Sequence, residues 1–399
     1  MTLTESTLDS LPEAVSCSTH VHETYHKNEI PTLSSEALER TSGRSGSDDE
    51  PHLELCSSVS ETLQGEARFK AEEWLARGGY GEVWRGTDQK LHRPVAIKSY
   101  LGQTSVAQAS YQDEVRLVER LAHPGIPAIY DVSGLRERSP YIVMQLVEGV
   151  TLKELIQRLQ AGDEETHAVF HFHHRMDLIL QLLRVLTVVH ERGILHRDIK
   201  PENLMIGETG ELYLMDWGIA VEQGADQGAE GISGTPLYMS PEQFAGQPAT
   251  VRSELYSVGA VAYELMTLKR TVEGSTVYQV GMNIISGSII PADLNPHPTQ
   301  GTVPSEFGKV IMKALSMDPE ARFQSAKEMR LELARVLGGY FDVVCPRTAL
   351  KQVIFRYLRW VDRAPVSRVA LTTLLLIGLI GGVLFMGVAL GLWLSTLKG

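Results

Sequence analysis

His196-Arg197-Asp198-Ile199-Lys200-Pro201-Glu202-Asn203, followed after a short apolar stretch by Asp216-Trp217-Gly218, sets carboxylates, cations and an amide among residues that otherwise read as apolar strand and loop. Charged groups placed there need a chemical reason, because burying them unpaired is costly. Phosphoryl transfer supplies one, since it asks for a cation on the phosphates, oxygen ligands for Mg²⁺ and a carboxylate beside the incoming hydroxyl. Asp198 can accept the hydrogen bond of a substrate hydroxyl and Lys200 can neutralise the transferring phosphate. Asn203 and Asp216 offer oxygen ligands that suit Mg²⁺ once nucleotide oxygens join them.

Working back along the chain, Val95-Ala96-Ile97-Lys98 puts an ammonium on a strand of its own. Ahead of it, Leu75-Ala76-Arg77-Gly78-Gly79-Tyr80-Gly81-Glu82-Val83 lies between two strand-like runs, where a glycine hairpin through Gly78, Gly79 and Gly81 can fold over phosphates and offer backbone N–H groups. Alone, that turn is an ordinary hairpin. Lys98, within reach of the α and β phosphates of ATP, gives it a function, and a buried lysine needs an anion. Glu114, in the helical stretch Tyr111 to Leu121, is the candidate.

The 399 residues carry a net charge of −12. Most of the acidic excess lies in residues 1–64, rich in Ser, Thr and Glu with no sustained apolar period, which read as a disordered tail. The charge argues against a nucleic-acid partner. Cys17, Cys56 and Cys345 are too few and too far apart for a disulfide framework or zinc site, and imply a reducing compartment. Residues 65–340 form the catalytic unit. Phe69 to Leu75, Glu82 to Arg85 and Val95 to Tyr100 read as strands of a small antiparallel sheet, and Leu178, Leu182, Val185, Leu186 and Val189 as the buried stripe of a helix. A sheet lobe is followed by a helical lobe, an α+β architecture.

Residues 341–368 read as a basic juxtamembrane linker, and residues 369–397 are 29 uncharged residues, more than the ~20 needed to cross a bilayer. Lys351, Arg356, Arg359, Arg363 and Arg368 precede that span and only Lys398 follows it, so the positive-inside rule predicts a single-pass chain with its catalytic unit in the cytoplasm. Gly378-x-x-x-Gly382 and Gly387-x-x-x-Gly391 allow, without indicating, a dimer through the span. The chain stops shortly after the span, which predicts no external sensor domain.

Together these segments resemble the eukaryotic-like Ser/Thr protein kinases, in particular the membrane-anchored members of bacteria. The resemblance runs from about Phe69 to Leu337 and includes Gly234-Thr235-Pro236, Ser240-Pro241-Glu242 in the place of the family's Ala-Pro-Glu, and Arg322 as the partner of Glu242. It implies the bilobal protein-kinase fold, with an antiparallel sheet plus one helix in the first lobe. It also implies Ser/Thr residues of proteins as substrates, ATP and Mg²⁺ as the nucleotide and metal, and a bacterial cell-membrane location. Leu75 and Val83 would border the nucleotide, Met144 would guard the adenine site, and Gln145 to Val147 would offer it backbone. Val83, Ala96 and Met205 would sandwich the base. Val118, Ile129, His196 and Trp217 match an apolar column linking the lobes.

Three departures from the family pattern bear on catalysis. Ala76 stands in place of the first glycine of the phosphate turn. Trp217 replaces a phenylalanine and brings an N–H that needs a partner. Glu254 replaces the aspartate that anchors the catalytic loop, and its extra methylene is expected to shift that loop. Arg197 implies an activation loop ordered by an anion. Ser233 and Thr235 are its hydroxyls, and Glu230 is the acid expected to stand in for phosphate. Glu148 and Glu202 hint at basic residues flanking the substrate hydroxyl. The rival readings are a membrane-tethered pseudokinase acting as a nucleotide-binding scaffold, and a small-molecule kinase of the same fold.

Overall fold

The computed structural model describes residues 68–77, 81–100, 105–133, 140–224, 234–341 and 346–363. The tail at 1–64, Gly78, Gly79, Glu230, Ser233 and the apolar run 369–397 lie outside the described residues.

The first lobe is a five-stranded antiparallel sheet ordered β1-β2-β3-β5-β4, made of β1 (Phe69–Arg77), β2 (Gly81–Asp88), β3 (Arg93–Tyr100), β4 (Ile129–Val132) and β5 (Tyr141–Gln145). Alternation along β3 decides its two faces. Val95 and Ile97 join Phe69, Trp84 and Val143 in a core on one side. Ala96, Lys98 and Tyr100 point the other way, and Tyr100 and Ile142 pack there against Tyr111 of α1 (Ser105–Glu119). On α1, Tyr111, Glu114 and Val118 are buried at helical spacing, so one face carries both the packing and the carboxylate.

The second lobe begins after Val147 with β6 (Gly149–Thr151) and α2 (Leu152–Gln160), whose start is fixed by a Thr151–Glu154 capping box. α3 (Glu164–Val169) and α4 (Phe172–Glu191) follow, and all five apolar positions expected on the α4 stripe are buried. β7 (Ile194–Leu195), β8 (Leu204–Gly207), β9 (Leu212–Leu214) and β10 (Val221–Glu222) form two small sheets, β6-β8-β9 and β10-β7, that carry the catalytic loops. After α5 (Pro241–Phe244), α6 (Val251–Thr267) is buried on every side from Ser253 onward and forms the axis of the lobe. α8 (Ser305–Ala314) and α4 pack against it, α7 (Val277–Ser286) packs against α5, and α9 (Ala326–Leu337) packs along α4.

The stretch read as a linker contains a further helix, α10 (Pro346–Arg363). Among the described residues no helix is long and apolar enough to cross a membrane.

Candidate active site

Antiparallel register brings the first-lobe groups together. β2 pairs with β3 so that Val83 lies opposite Lys98, and β3 with β5 so that Ala96 lies opposite Met144. Directly opposed residues share a face, which puts Val83, Ala96, Lys98 and Met144 on the side of the sheet toward the second lobe. Gln145 ends β5 with its N–H on the Ala128 carbonyl at 2.8 Å, and Val147 is buried just before β6. Met205 approaches from the other lobe, on β8 beside β6. Leu75, on β1 ahead of the glycine turn, is exposed.

Lys98 reaches three carboxylate oxygens. Its Nζ lies 2.8 and 2.7 Å from Oε1 and Oε2 of Glu114 and 2.8 Å from Oδ1 of Asp216. The Tyr100 hydroxyl donates to the same Glu114 carboxylate. Burial alone would lower the Lys98 ammonium, but Glu114 and Asp216 outweigh it and hold the group above the ordinary lysine value, so it is a cation at neutral pH. Asp216 shows the converse: desolvation pushes its carboxyl up, and the Lys98 charge and hydrogen bond bring it below the ordinary aspartate value. A side chain at Gly218 would lie 3.3 Å from Glu114 and 3.7 Å from Lys98 Nζ, so glycine leaves this cluster its room.

The catalytic loop folds around Asp198. Its Oδ2 accepts from Lys200 Nζ at 2.6 Å and Asn203 Nδ2 at 3.1 Å, and its Oδ1 accepts from the Thr235 N–H at 3.1 Å and hydroxyl at 2.8 Å. Lys200 Nζ also reaches the Thr235 hydroxyl at 3.1 Å. Asn203 spends its amide hydrogens on the Asp198 carboxylate and carbonyl, which leaves its oxygen as the group on offer to a cation. Gly234, at φ +109°, brings Thr235 in, because a Cβ there would sit 2.7 Å from the Arg197 carbonyl. Arg197 and Asp216 themselves adopt left-handed backbone, φ +68° and +57°. Such strain, about 1–3 kcal/mol a residue, persists where the surroundings over-determine it.

Those surroundings include Glu254, which the sequence singles out, and His190, which it does not. Glu254 on α6 accepts from the Arg197 N–H at 2.6 Å and pairs with His190 Nε2 at 2.7 Å, almost wholly buried. Its extra methylene therefore leaves the catalytic loop held, and adds α4 to the anchor. Burial raises the Glu254 carboxyl, and the His190 and Arg197 bonds outweigh that and hold it below its ordinary value. His196 Nε2 lies 2.9 Å from the Met215 carbonyl, tying the catalytic loop to the residue before Asp216. The Trp217 ring meets His196 edge-on at 4.7 Å, and its buried N–H finds no partner among the described residues. Of the expected column, Val118 is buried on α1 and Ile129 packs with Tyr100, Tyr111 and Ile142.

Further out, Arg322 grips Glu242 with two bonds of 2.7 and 2.9 Å, and Ser253 donates to the same carboxylate at 2.9 Å. Glu148 and Glu202, expected to favour basic flanks, already hold Arg85 at 2.7 Å and Lys153 at 3.1 Å. A cavity of about 440 Å³ opens beside Pro201 and Glu202, lined also by Tyr238, Glu264 and Arg270, on the second-lobe side of the catalytic loop.

The protein kinase domain profile matches residues 69–332, the whole of this arrangement. The chain belongs to the protein kinase family. Among curated relatives, it is 34% identical over 285 residues to a probable serine/threonine-protein kinase of Streptomyces coelicolor, covering 68% of this chain and 40% of the relative. It is 33% identical over 283 residues to the serine/threonine-protein kinase PknB of Mycobacterium tuberculosis, covering 68% and 43%. A probable PknB of Bifidobacterium longum is 32% identical over 305 residues, covering 71% and 42%. The chain thus spans about two fifths of the length of these relatives.

The donor set fits the metal that the family uses. Asn203 and Asp216 are hard oxygen donors, and Mg²⁺ prefers a few carboxylate or amide oxygens completed by phosphates and water. Among the described residues no cluster of three His, Cys, Asp or Glu offers a competing site.

Proposed function

We propose that the chain is a serine/threonine protein kinase that transfers the γ-phosphate of ATP to protein hydroxyls, held at a bacterial cell membrane by residues 369–397 with its catalytic unit in the cytoplasm. The observation that carries the activity is Lys98, which joins Glu114 of α1 to Asp216 of the second lobe within 2.8 Å of both. Three elements distant in sequence converge on one cation, at the place where nucleotide phosphates need neutralising.

In this reading Lys98 holds the α and β phosphates, oriented by Glu114. Mg²⁺, when bound by Asn203 and Asp216, supplies charge neutralisation on the phosphates. Asp198 accepts the proton of the substrate hydroxyl, and the Thr235 hydroxyl already donates to it at 2.8 Å, the geometry a substrate Ser or Thr would reproduce. Lys200 stands beside both groups and meets the charge developing on the transferred phosphoryl group. Val83, Ala96, Met144 and Met205 enclose the base, and Gln145 and Val147 present the backbone that reads it. The scaffold alternative draws on Ala76 and Glu254 alone, and the chain keeps Lys98, Glu114, Asp198, Asn203 and Asp216, which speaks against it.

The test is transfer of labelled γ-phosphate to a generic basic protein by the full chain in detergent, beside Asp198→Asn. Label on Ser or Thr that falls by about 10²–10⁴-fold in the variant supports the reading. Nucleotide binding without any transfer in either protein overturns it in favour of a scaffold.

A further inference from the structure

Helix α10 has two opposed faces. Thr348, Lys351, Gln352 and Phe355 recur at helical spacing and meet the second lobe. Lys351 Nζ pairs with the buried Glu306 of α8 at 2.8 Å, and Gln352 donates to the Phe341 carbonyl at 3.0 Å. Thr348 is buried, and Phe355 packs over Gly339 so closely that a Cβ there would lie 2.7 Å from its ring. Leu350, Val353, Ile354 and Tyr357 lie two positions on from these, about 200° around the helix, and Leu358 borders that face on the side of Lys351. Leu350 and Val353 are 62% and 63% exposed, Ile354 and Leu358 about half exposed. Trp360 adds a partly exposed indole stacked on Tyr357 at 6.0 Å. A contiguous apolar face of this size on a soluble surface marks an interaction site.

We infer that this face lies on an anionic membrane surface, with α10 held between the bilayer and the second lobe. The inference rests on the reading of residues 369–397 as a membrane span. Only residues 364–368 separate Arg363 from Val369, and six Cα steps reach at most about 20 Å, roughly two helix diameters. A helix tethered that tightly, with an apolar face already turned outward, meets lipid before any other partner. Its charge agrees. With Lys351 spent on Glu306, Arg356, Arg359 and Arg363 stand against the single Asp362, and Arg356 is exposed beside the apolar stripe. An aromatic pair near the end of the helix suits the headgroup level. Because Lys351 and Phe355 fix α10 to the lobe, contact with lipid sets the orientation of the whole catalytic unit above the membrane.

The experiment uses the full chain in nanodiscs of phosphatidylglycerol and phosphatidylcholine, with Cys17, Cys56 and Cys345 replaced by serine. A single nitroxide is placed by Ile354→Cys, by Leu358→Cys or, as a control exposed on the first lobe, by Leu91→Cys. Collisional relaxation by oxygen, which partitions into lipid, is compared with that by a water-soluble nickel chelate. The expected result is a several-fold shift toward oxygen at 354 and 358 relative to 91. Labels at 354 and 358 as open to nickel as the one at 91 overturn the proposal. So does protection from both reagents that appears only when two chains share a disc, which would assign the face to a second copy. Extraction at alkaline pH separates the two readings. A chain retained in the disc with water-exposed labels keeps the span and loses the surface helix, and a chain washed off after showing lipid-exposed labels does the reverse.

Discussion

Glu254 grips the catalytic loop at the Arg197 N–H and α4 at His190, so its charge serves both the fold and the chemistry. Glu254→Gln keeps the shape but exchanges a charge-assisted pair for a neutral one, and is expected to cost about 1–3 kcal/mol in urea unfolding and to lower transfer more than nucleotide affinity. Arg322→Ala strips Glu242 of its buried partner and is expected to cost about 3–5 kcal/mol by the same measurement; Arg322→Lys rescues little, because an ammonium cannot reproduce the two-bond fork. Acid acts on the same groups. The carboxyls of Asp216, Glu242 and Glu254 are held below their ordinary values despite burial, so each contributes stability that is complete above the ordinary value of 3.8 or 4.5 and is lost as pH falls through the folded-state value. Thermal melting is therefore expected to drop on acidification below about pH 4.5, and less steeply in Glu242→Gln, which has one such group fewer. At this scale the sequence made the grouping of Asp198, Lys200 and Asn203 legible, and hydrogen bonds join the three. The sequence was less legible for Glu254, because whether a methylene shifts a loop depends on backbone that can move to meet it, and His190 gave no local signal beyond helical spacing.

Between elements, the pairing of α1 with β3 is the joint on which the cleft depends. Glu114 receives Lys98 and Tyr100 from the same strand face, so α1 cannot turn away without leaving a carboxylate buried and unpaired. Lys98→Met is expected to keep the fold at a cost of about 1–3 kcal/mol, with Tyr100 still donating, and to reduce labelled-phosphate transfer by about 10²–10³-fold. The strands of the first lobe were readable because β-branched residues alternate with polar ones, and the α4 stripe because one face of it is uniformly apolar. The start of α1 at Ser105 was not, since Ala107, Gln108, Ala109 and Ser110 favour a helix without marking a buried face. α10 was missed for a related reason. Its basic residues read as a solvated tether, although Leu350, Val353, Ile354, Tyr357 and Leu358 carry the helical period in plain view.

For the molecule as a whole, attachment of α10 turns a tether into part of the body. Lys351→Met removes the cation that Glu306 faces at 2.8 Å, and is expected to raise amide hydrogen exchange across Leu350 to Leu358 while leaving exchange in α6 unchanged. Within the second lobe, His196 from the catalytic loop meets Trp217 edge-on, next to the Asp216 that Lys98 of the first lobe holds. That contact gives the protein an optical signal of its own. A buried indole emits at short wavelength, and here the His196 ring lies against its edge. An event that swings Asp216 out of the cleft moves its neighbour Trp217 off His196, so the difference in emission between the native chain and Trp217→Phe would follow that movement in real time, without a label.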